Sequence, residues 1–448
     1  MTGLDTRAFA EHCAEALRRY DCPSVSIAVA ERGEVVFAEA YGTADTATGR
    51  PATPGTAYGL ASVTKPFTAA AVCAAADDGL LDLDAPVPGT FRFGAPTLRQ
   101  LLRHRGGLAP FYHWEYDGDG GRPIDPDAYV LQLRAPDAGF EYANLGYRLL
   151  GRELEAAAGV GLAEFVRRRV CEPLGLDACR IGARYTGPAP AAVRYAVDGR
   201  AYPDYDCGHP GATLGWATAG ELALFTGSFG RVMGPGTAAA TLAGLPVNEH
   251  LGYGLGWCVA AAGAGSPLVH SHGGGGPGVA AMTIGVPGRG LAVSVLTNTT
   301  NKGARDAIVR HVMAELVPGY RDEWISPVVP DPARPLALPE GSTWAGAVNT
   351  PEREVPLVVR ILTEGQVEVR LGGEGVVAPA AGSDAWDLKV SVPVRLPTGD
   401  AGVGSPVSAL LLRAGGDGLS GVLYAYKEGD AVGRLGNFLA HACGLRRR

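Results

Sequence analysis

The amino-acid sequence predicts an α+β fold, in which an antiparallel sheet is flanked by helices and followed by a second, small all-β domain. Three observations support this prediction. Strand patterns occur near the start of the chain, helical patterns fill its middle, and strand patterns then return on both sides of a proline-rich stretch. Because strands bracket the helices, we expect both ends of the first domain to contribute to one sheet.

The elements of the first domain, which we assign to residues 1–325, follow from hydrophobic periodicity. Charged residues at helical spacing predict an amphipathic helix within residues 1–20, and apolar runs on either side of Arg32-Gly33 predict a β-hairpin. The other predicted helices cover residues 62–78, 97–104, 144–157, 219–225 and 305–316. The predicted strands cover residues 24–30, 34–41, 252–260, 279–286 and 291–297.

A proline-rich linker separates the two predicted domains. Proline continues neither a helix nor a β-ladder, and residues 326–341 contain Pro327, Pro330, Pro332, Pro335 and Pro339. Beyond the linker, residues 342–448 hold short apolar or alternating runs that are separated by Gly, Asp and Pro. They predict a small all-β domain, sandwich or barrel, with strands at residues 356–362, 367–371, 388–395, 407–413 and 421–427.

Composition narrows the function classes. The 448-residue chain has a formal net charge of -7 and no Lys/Arg-rich stripe longer than the three residues 446–448, so it offers no basic surface to nucleic acid. Residues 1–20 lack the apolar core of a signal peptide. The longest apolar stretch, residues 67–76, is about half of what spans a bilayer. We therefore expect a cytoplasmic protein with neither a nucleic-acid nor a membrane partner.

The cysteines and histidines give little sign of a metal site. The chain has 8 cysteines, and no two have the short spacing typical of zinc ligands, so we expect small core residues rather than disulfides. His270 and His272 lie two apart and could chelate a metal from one strand face, but no third ligand accompanies them. We expect no metal and no cofactor.

The run Ser62-Val63-Thr64-Lys65 begins a predicted helix. A spacing of three places Ser62 and Lys65 on one helix face, within contact distance. A serine hydroxyl becomes an effective nucleophile when a base takes its proton, and a lysine can be that base when burial or nearby cations lower its pKa. The helix N-terminus also offers unpaired N–H groups to a developing oxyanion. The alternative is a serine that precedes a lysine by chance.

A second element, Glu141-Tyr142-Ala143-Asn144, lies at the start of another predicted helix. In an extended segment, Tyr142 and Asn144 point the same way. A tyrosine near a lysine can relay a proton, and an asparagine can both donate to and accept from an ester or amide. The alternatives are a half-buried core aromatic for Tyr142 and a helix cap for Asn144.

The third element is the run from Ser271 to Gly278, which contains His272 and four consecutive glycines before a predicted strand hairpin. A substrate could lie against the bare backbone of Gly274 and Gly275 and accept hydrogen bonds from it. The glycine pattern is not a dinucleotide-binding loop, because no helix follows it. It is not the oxyanion loop of an α/β-hydrolase either, because the chain has no Gly-x-Ser-x-Gly elbow.

Together and in this order, the three elements resemble the serine β-lactamase and penicillin-recognising superfamily, in particular its class C branch with related esterases, D-aminopeptidases and transacylases. The resemblance covers about residues 20–300 and implies a β-lactamase/transpeptidase-like sheet with a helical subdomain. The second domain resembles the small lipocalin-like domain attached to some of these enzymes, including those that cyclise or transfer peptides in natural-product pathways. Further similar stretches lie at residues 101–108, 172–176, 217–222 and 253–257.

The resemblance implies a role for each matched residue. Ser62 would be the acylated nucleophile, and Lys65 and Tyr142 its base and proton relay. Asn144 would position the substrate, and the N–H of Gly275 would complete an oxyanion hole with that of Ser62. His272 stands where many β-lactamases carry a lysine, a departure that is more typical of esterases, peptidases and acyltransferases.

We therefore predict a cofactor-free enzyme that moves an acyl group from a small-molecule or peptide ester or amide onto Ser62 and then to an amine or to water. In the aromatic stretch at residues 111–116, Tyr112 and Trp114 could form a wall of the acyl or acceptor pocket, or an ordinary surface loop. The alternatives are an esterase or D-amino-acid peptidase that only hydrolyses, a true β-lactamase, and an inactive relative that binds a ligand. The sequence does not indicate an oligomeric state.

Overall fold

The computed structural model describes residues 6–118, 124–260, 267–401, 406–426, 430 and 433–448. Its fold is α+β, as predicted: two large antiparallel sheets, one flanked by helices and one nearly closed on itself. The helices are α1 (Thr6–Arg19), α2 (Thr64–Asp77), α3 (Leu98–Leu102), α4 (Asn144–Ala158), α5 (Leu162–Val166), α6 (Glu172–Leu174), α7 (Pro210–Thr213), α8 (Ala219–Ser228), α9 (Pro235–Thr241) and α10 (Gly303–Leu316).

Among the described residues, fourteen strands precede the predicted linker. They are β1 (Ser24–Glu31), β2 (Glu34–Asp45), β3 (Arg50–Pro51), β4 (Tyr58–Ala61), β5 (Glu115–Tyr116), β6 (Arg180–Ile181), β7 (Tyr205–Asp206), β8 (Gly215–Ala217), β9 (Leu245–Pro246), β10 (Leu251–Tyr253), β11 (Cys258–Ala260), β12 (Val269–Gly276), β13 (Val279–Val286) and β14 (Leu291–Thr297). Short 3-10 helices cover Pro126–Tyr129, Phe229–Val232, Pro287–Arg289 and Asp322–Ile325, and a π-helical turn covers Arg167–Cys171.

The nine-stranded sheet takes strands from both ends of this part of the chain, as the sequence predicts. Its order is β3-β2-β1-β14-β13-β12-β11-β10-β9, and β1 pairs with β14 over seven residue positions. Helices α1 and α10 pack against each other on one face, and α8 packs against β1 and β14 on the other. Because both faces are covered, the central strands β1, β13 and β14 are buried almost throughout.

The second large sheet has eight strands in the order β18-β17-β16-β15-β22-β21-β20-β19, and its two end strands approach each other. Inward-facing Val and Leu side chains fill its interior, as their alternating burial shows. These strands are β15 (Thr343–Asn349), β16 (Glu354–Ile361), β17 (Gln366–Leu371), β18 (Glu374–Pro379), β19 (Leu388–Val392), β20 (Val407–Gly415), β21 (Gly418–Tyr426) and β22 (Phe438–Arg447). The division into domains at residues 326–341 stays a prediction.

Two predicted elements differ from the structure. Residues 252–260 are not one strand but two, β10 and β11, which pair with each other across a turn. The glycine run lies within strand β12 rather than before the strands. Three strands of the second sheet, β15, β18 and β22, have no counterpart in the prediction, and Lys427 at the end of the predicted strand 421–427 is outside the described residues.

The structure also addresses the predictions made from the cysteines and from the apolar stretches of the sequence. All eight cysteines are buried free thiols, as predicted. None of the helices that the structure describes is long and apolar enough to cross a membrane.

Candidate active site

Ser62 lies in the turn between strand β4 and helix α2. The turn is closed by a hydrogen bond from the Val63 amide to the Leu60 carbonyl, and Ala61 adopts a left-handed conformation with φ 46°. A non-glycine residue rarely adopts this conformation, which costs about 1 kcal/mol. The Thr64 hydroxyl holds the turn, since it donates to the Ala61 carbonyl at 2.6 Å and accepts from the Gly215 amide at 2.7 Å. The turn therefore presents Ser62 at the start of the helix.

Lys65 is one helical turn further on, and its side chain reaches back to the serine. The Lys65 Nζ atom lies 3.1 Å from Ser62 Oγ and 3.2 Å from the Ala212 carbonyl oxygen. The lysine is 0% exposed. Burial lowers the pKa of Lys65 well below its usual value, and Cys207 opposes this shift weakly. The described residues form no ion pair with the lysine, so the buried group is favoured in its neutral form.

Tyr142 stands beside this pair. Its ring centroid is 4.7 Å from Lys65 Nζ. Burial raises the pKa of Tyr142 well above its usual value and nearby Tyr112 adds to this, whereas a hydrogen bond with Ser62 opposes it. The tyrosine therefore keeps its proton at neutral pH while it touches both partners of the Ser62–Lys65 pair.

Asn144 is the first residue of helix α4, and its side chain does not cap that helix. The cap position is Ala143, which makes no side-chain cap bond. Instead, Asn144 Nδ2 donates to the Phe111 carbonyl at 2.8 Å, while Asn144 Oδ1 is buried without a hydrogen-bond partner among the described residues. The asparagine therefore holds the aromatic stretch, and it is not among the residues that line the cavity at Ser62.

Strand β12 forms the opposite wall of the site, and its glycines allow close packing. A β-carbon on Gly274 would lie 2.1 Å from the Leu60 carbonyl oxygen, so only glycine lets β12 approach β4 this closely. A β-carbon on Gly275 would meet the end of the Lys302 side chain at 2.6 Å. Both glycines line the same cavity as Ser62.

His272 projects from β12 into this cavity, and its hydrogen bonds define its tautomer. His272 Nδ1 lies 2.8 Å from the Gly273 carbonyl oxygen, which can only accept, so Nδ1 carries the proton. His272 Nε2 therefore accepts from the Tyr253 hydroxyl at 3.0 Å. Burial, with a smaller contribution from Lys65, lowers the pKa of His272 to about 3, although the bond to Gly273 opposes this shift. The imidazole is thus neutral at physiological pH.

These residues surround one cavity of about 560 Å³. It brings together Ser62, Tyr142, His272, Gly274, Gly275 and Tyr112 from the predicted set. Trp114 is 2% exposed and does not line it; its ring packs behind the cavity against Tyr205 at 5.3 Å. Lys65 does not line the cavity itself but contacts two residues that do, Ser62 and Tyr142.

The structure also places residues at the site that the sequence did not indicate. Lys302, at the N-terminal end of α10, lines the cavity beside Gly275. His104 accepts a hydrogen bond from the Ala143 amide at 3.1 Å, and its ring lies 4.1 Å from that of Tyr142. Tyr253 lies in a predicted strand and His104 in a predicted helix, and both lie in stretches similar to the family, but the sequence assigned neither of them a role at the site. None of these positions has a local pattern that distinguishes it from a core or surface residue.

The arrangement suits acyl transfer and gives no support to a metal. His270 faces away from the cavity toward the Thr226 carbonyl, 3.1 Å from Nε2, so the two histidines of β12 do not meet at one point. Within the described part of the chain, no group of three His, Cys, Asp or Glu residues could hold a metal ion.

Proteins with known names are similar to parts of this chain. Penicillin-binding protein 4* of Bacillus subtilis (strain 168) is 27% identical over 176 residues, 36% of this chain and 39% of that protein. Esterase EstB of Burkholderia gladioli is 33% identical over 194 residues, 37% of this chain and 48% of that protein. D-aminopeptidase of Brucella anthropi is 29% identical over 192 residues, 39% of this chain and 36% of that protein. The chain thus matches less than half the length of each.

Two solved structures are similar over nearly the whole chain. SurE has a TM-score of 0.64 and 22% identity, with 99% of each chain covered. The octameric penicillin-binding protein homologue from Pyrococcus abyssi has a TM-score of 0.62 and 19% identity, with 98% of this chain and 100% of that chain covered. The likeness extends across both large sheets and shows a shared fold.

A family model settles the assignment of the larger part of the chain. It matches residues 9–317, which include most of helix α1, all nine strands of the first sheet and helix α10. The same span contains the Ser62–Lys65 pair, Tyr142 and strand β12 with His272. The chain therefore belongs to the β-lactamase family.

Proposed function

We propose that this protein is a serine acyltransferase or hydrolase, which takes an acyl group from an ester or amide onto Ser62 and passes it to an amine or to water. One observation carries the proposal: Lys65 Nζ lies 3.1 Å from Ser62 Oγ in a fully buried position that favours the neutral amine. A neutral amine within hydrogen-bond distance of a serine hydroxyl is a competent general base.

In the first step, Lys65 takes the hydroxyl proton while Ser62 Oγ bonds to the carbonyl carbon of the substrate. The negative charge that forms on the carbonyl oxygen would be stabilised by the N–H groups of Ser62 and Gly275. When the intermediate collapses, the bond to the leaving group breaks and the leaving group receives a proton through Tyr142. The acyl-enzyme and the neutral leaving group remain, and Tyr142 regains its proton from Lys65.

In the second step, an amine or water attacks the acyl-enzyme, its proton returns through Lys65, and Ser62 leaves with that proton. The half-buried Tyr112 ring at the cavity supports an amine acceptor, because aromatic surface can hold the amine and limit water. The names esterase and D-aminopeptidase among the relatives favour the alternative in which water is the acceptor.

Two other readings receive less support. A β-lactamase is disfavoured because His272, neutral and bonded to Tyr253, replaces the lysine that such enzymes often use. A ligand-binding relative without activity is disfavoured because a buried, uncompensated lysine is costly to keep and is useful chiefly as a base.

Labelling tests the proposal directly. Incubation with a fluorophosphonate or with p-nitrophenyl acetate should add one phosphonyl or acetyl group to the protein, as read from its intact mass. The adduct should be absent in Ser62→Ala and retained in Ser326→Ala, since Ser326 is an exposed serine that lines the same cavity. An adduct that persists in Ser62→Ala would refute the proposal.

A further inference from the structure

The aromatic loop, residues 111–116, lies between helices α4 and α7 and the second large sheet, and partners from both sides hold its backbone. On the side of the helices, Asn144 Nδ2 donates to the Phe111 carbonyl at 2.8 Å, and the His113 amide donates to His209 Nε2 at 3.3 Å. A loop that crosses a protein interior must satisfy its backbone groups in this way.

Residues 115–116 form strand β5 and pair with β7, and the second sheet supplies further partners through residues at the start of strand β22. The Tyr112 amide donates to the Phe438 carbonyl at 2.9 Å, and the Phe438 amide donates to the Tyr112 carbonyl at 2.8 Å. The Trp114 amide donates to Asn437 Oδ1 at 2.9 Å, and Asn437 is only 3% exposed. The amide and the carbonyl of Tyr112 are thus both held by Phe438, which lies more than 300 positions later in the chain.

The consequence of this anchoring reaches the proposed reaction site. The Tyr112 side chain lines the cavity with Ser62 and Tyr142 and contributes to the raised pKa of Tyr142. The Phe438 ring lies edge-on to the Tyr112 ring, with 6.2 Å between the ring centroids. The position of one wall of the cavity is therefore set by the second sheet.

We propose that Asn437 and Phe438 are positioning residues, through which the C-terminal sheet holds Tyr112 over the Ser62 acyl-enzyme and limits the access of water to it. The inference rests on the proposed function, because it assumes an acyl-enzyme at Ser62. The step that it controls is hydrolysis: a water oxygen bonds to the acyl carbon, the Ser62 ester bond breaks, and one water proton goes through Lys65 to Ser62 Oγ.

A purely structural role makes a different prediction. If the hydrogen bonds only join the two sheets, their loss lowers stability and the fraction of folded protein, but each folded molecule keeps its acyl-enzyme lifetime. The acyl-enzyme decays in a first-order process, so its lifetime does not depend on how much of the protein is active. It therefore separates positioning from stability.

The experiment compares three variants with the wild type. Asn437→Leu removes the acceptor at nearly constant volume, and Asn437→Asp keeps an acceptor oxygen. Leu445→Ala, in the core of the second sheet and distant from the loop, lowers the unfolding midpoint without touching Tyr112. Each protein is pulsed with p-nitrophenyl acetate, and the decay of the acetylated mass is followed after removal of the ester.

We expect the acyl-enzyme of Asn437→Leu to decay on the order of fivefold faster than that of the wild type. Asn437→Asp should restore most of the lifetime, and Leu445→Ala should have the wild-type lifetime despite a lower unfolding midpoint. Combining Asn437→Leu with Tyr112→Leu should add nothing to the effect of Tyr112→Leu alone, since the asparagine acts through the tyrosine.

The outcomes separate the inference from the proposed function. If the wild type forms no adduct at Ser62, the proposed function fails and the inference fails with it. If Ser62 is acylated but Asn437→Leu and Leu445→Ala both decay at the wild-type rate, the inference alone is refuted. Should Asn437→Leu not fold, Phe438→Leu removes the ring contact instead, and an unchanged lifetime there refutes the inference as well.

Discussion

Lys65 Nζ lies 3.1 Å from Ser62 Oγ, and the lysine side chain has no exposed surface. Burial is the cause of the lowered lysine pKa, because an ammonium group that leaves water without a carboxylate partner loses more hydration energy than the protein returns. A histidine or carboxylate needs no such lowering of its pKa to act as a base at neutral pH. A lysine does, and the cost of its burial is a reason to connect it with catalysis.

Replacement of Lys65 tests this connection. Lys65→Ala should slow the acylation of Ser62 by about 10²- to 10⁴-fold, the usual contribution of a general base. Lys65→Arg should be equally slow, because arginine stays charged. Lys389→Ala, which removes a lysine paired with Asp331 in the second sheet, should acylate normally. The pre-steady-state burst of p-nitrophenol gives the rate of acylation. A burst at the normal rate in Lys65→Ala would show that the lysine is not part of the mechanism.

His272 and Tyr253 form a second buried pair, with 3.0 Å between His272 Nε2 and the tyrosine oxygen. If the neutral imidazole assists departure of the leaving group or relays protons, His272→Ala should lower kcat by about 10- to 100-fold and change KM much less. Tyr253→Phe should shift kcat in the same direction by a smaller factor. Steady-state kinetics with one ester distinguish the cases, since a raised KM at constant kcat would assign His272 to substrate positioning.

Much of the frame that carries these residues could be predicted from the sequence. The strands at residues 24–30, 279–286 and 291–297 and the helix after Ser62 are long, apolar and well bounded, so local pattern and final structure agree. Strand β12 was not predicted because glycines are poor strand formers. The reason for glycine at these positions is the close contact with strand β4, which the local sequence does not show. The hairpin of β10 and β11 was predicted as one strand because the residues of its turn are as apolar as those of its two strands.

Spacing alone could predict a contact at the site only for Ser62 and Lys65, whereas Tyr142 and His272 were assigned through the family resemblance. The spacing of Ser62 and Lys65 is local, and helix geometry makes their contact necessary once the helix forms. Tyr253, Lys302 and Asn437 come from elements far apart in the chain, and each reaches the site through the order of strands in a sheet or through contact with the second sheet. Asn144 shows the limit differently: its side chain binds the aromatic loop, which no residue pattern indicates.

The glycines of β12 give a sharp steric prediction. Gly274→Ala places a carbon 2.1 Å from the Leu60 carbonyl oxygen, so β12 must move away from β4 and Ser62. We expect a loss of about 1 to 3 kcal/mol in unfolding free energy and at least about tenfold in acylation rate. Gly273→Ala is the matched control, because its nearest neighbour is the flexible Met282 terminus at 3.2 Å. Equal activities in the two variants would contradict this account.

The buried histidines predict sensitivity to acid. Burial lowers the pKa of His270 from 6.5 to about 4. Between these values the unfolded chain binds a proton that the native protein does not, so stability falls as pH falls through this window. His270→Gln keeps a donor for the Thr226 carbonyl but removes the titration. Between pH 7 and pH 5 the wild type should therefore lose about 2 kcal/mol more unfolding free energy than His270→Gln in urea titrations. Parallel losses would show that His270 titrates normally.

The last prediction concerns the acceptor of the acyl group. Water is present at far higher concentration than any amine, so aminolysis can win only if the cavity binds the amine next to the ester and keeps water away. The cavity of about 560 Å³, with the Tyr112 ring on one wall, has room for both an acyl group and a small amine. We therefore expect amide to form faster than acid from a methyl ester or thioester donor when a suitable primary amine is present at millimolar concentration, as measured by product ratios. The ratio should saturate with amine, because a binding site fills whereas random capture does not. A ratio that rises only linearly, or acid as the main product with every amine in a varied panel, would leave an esterase or peptidase with the same Ser62 chemistry.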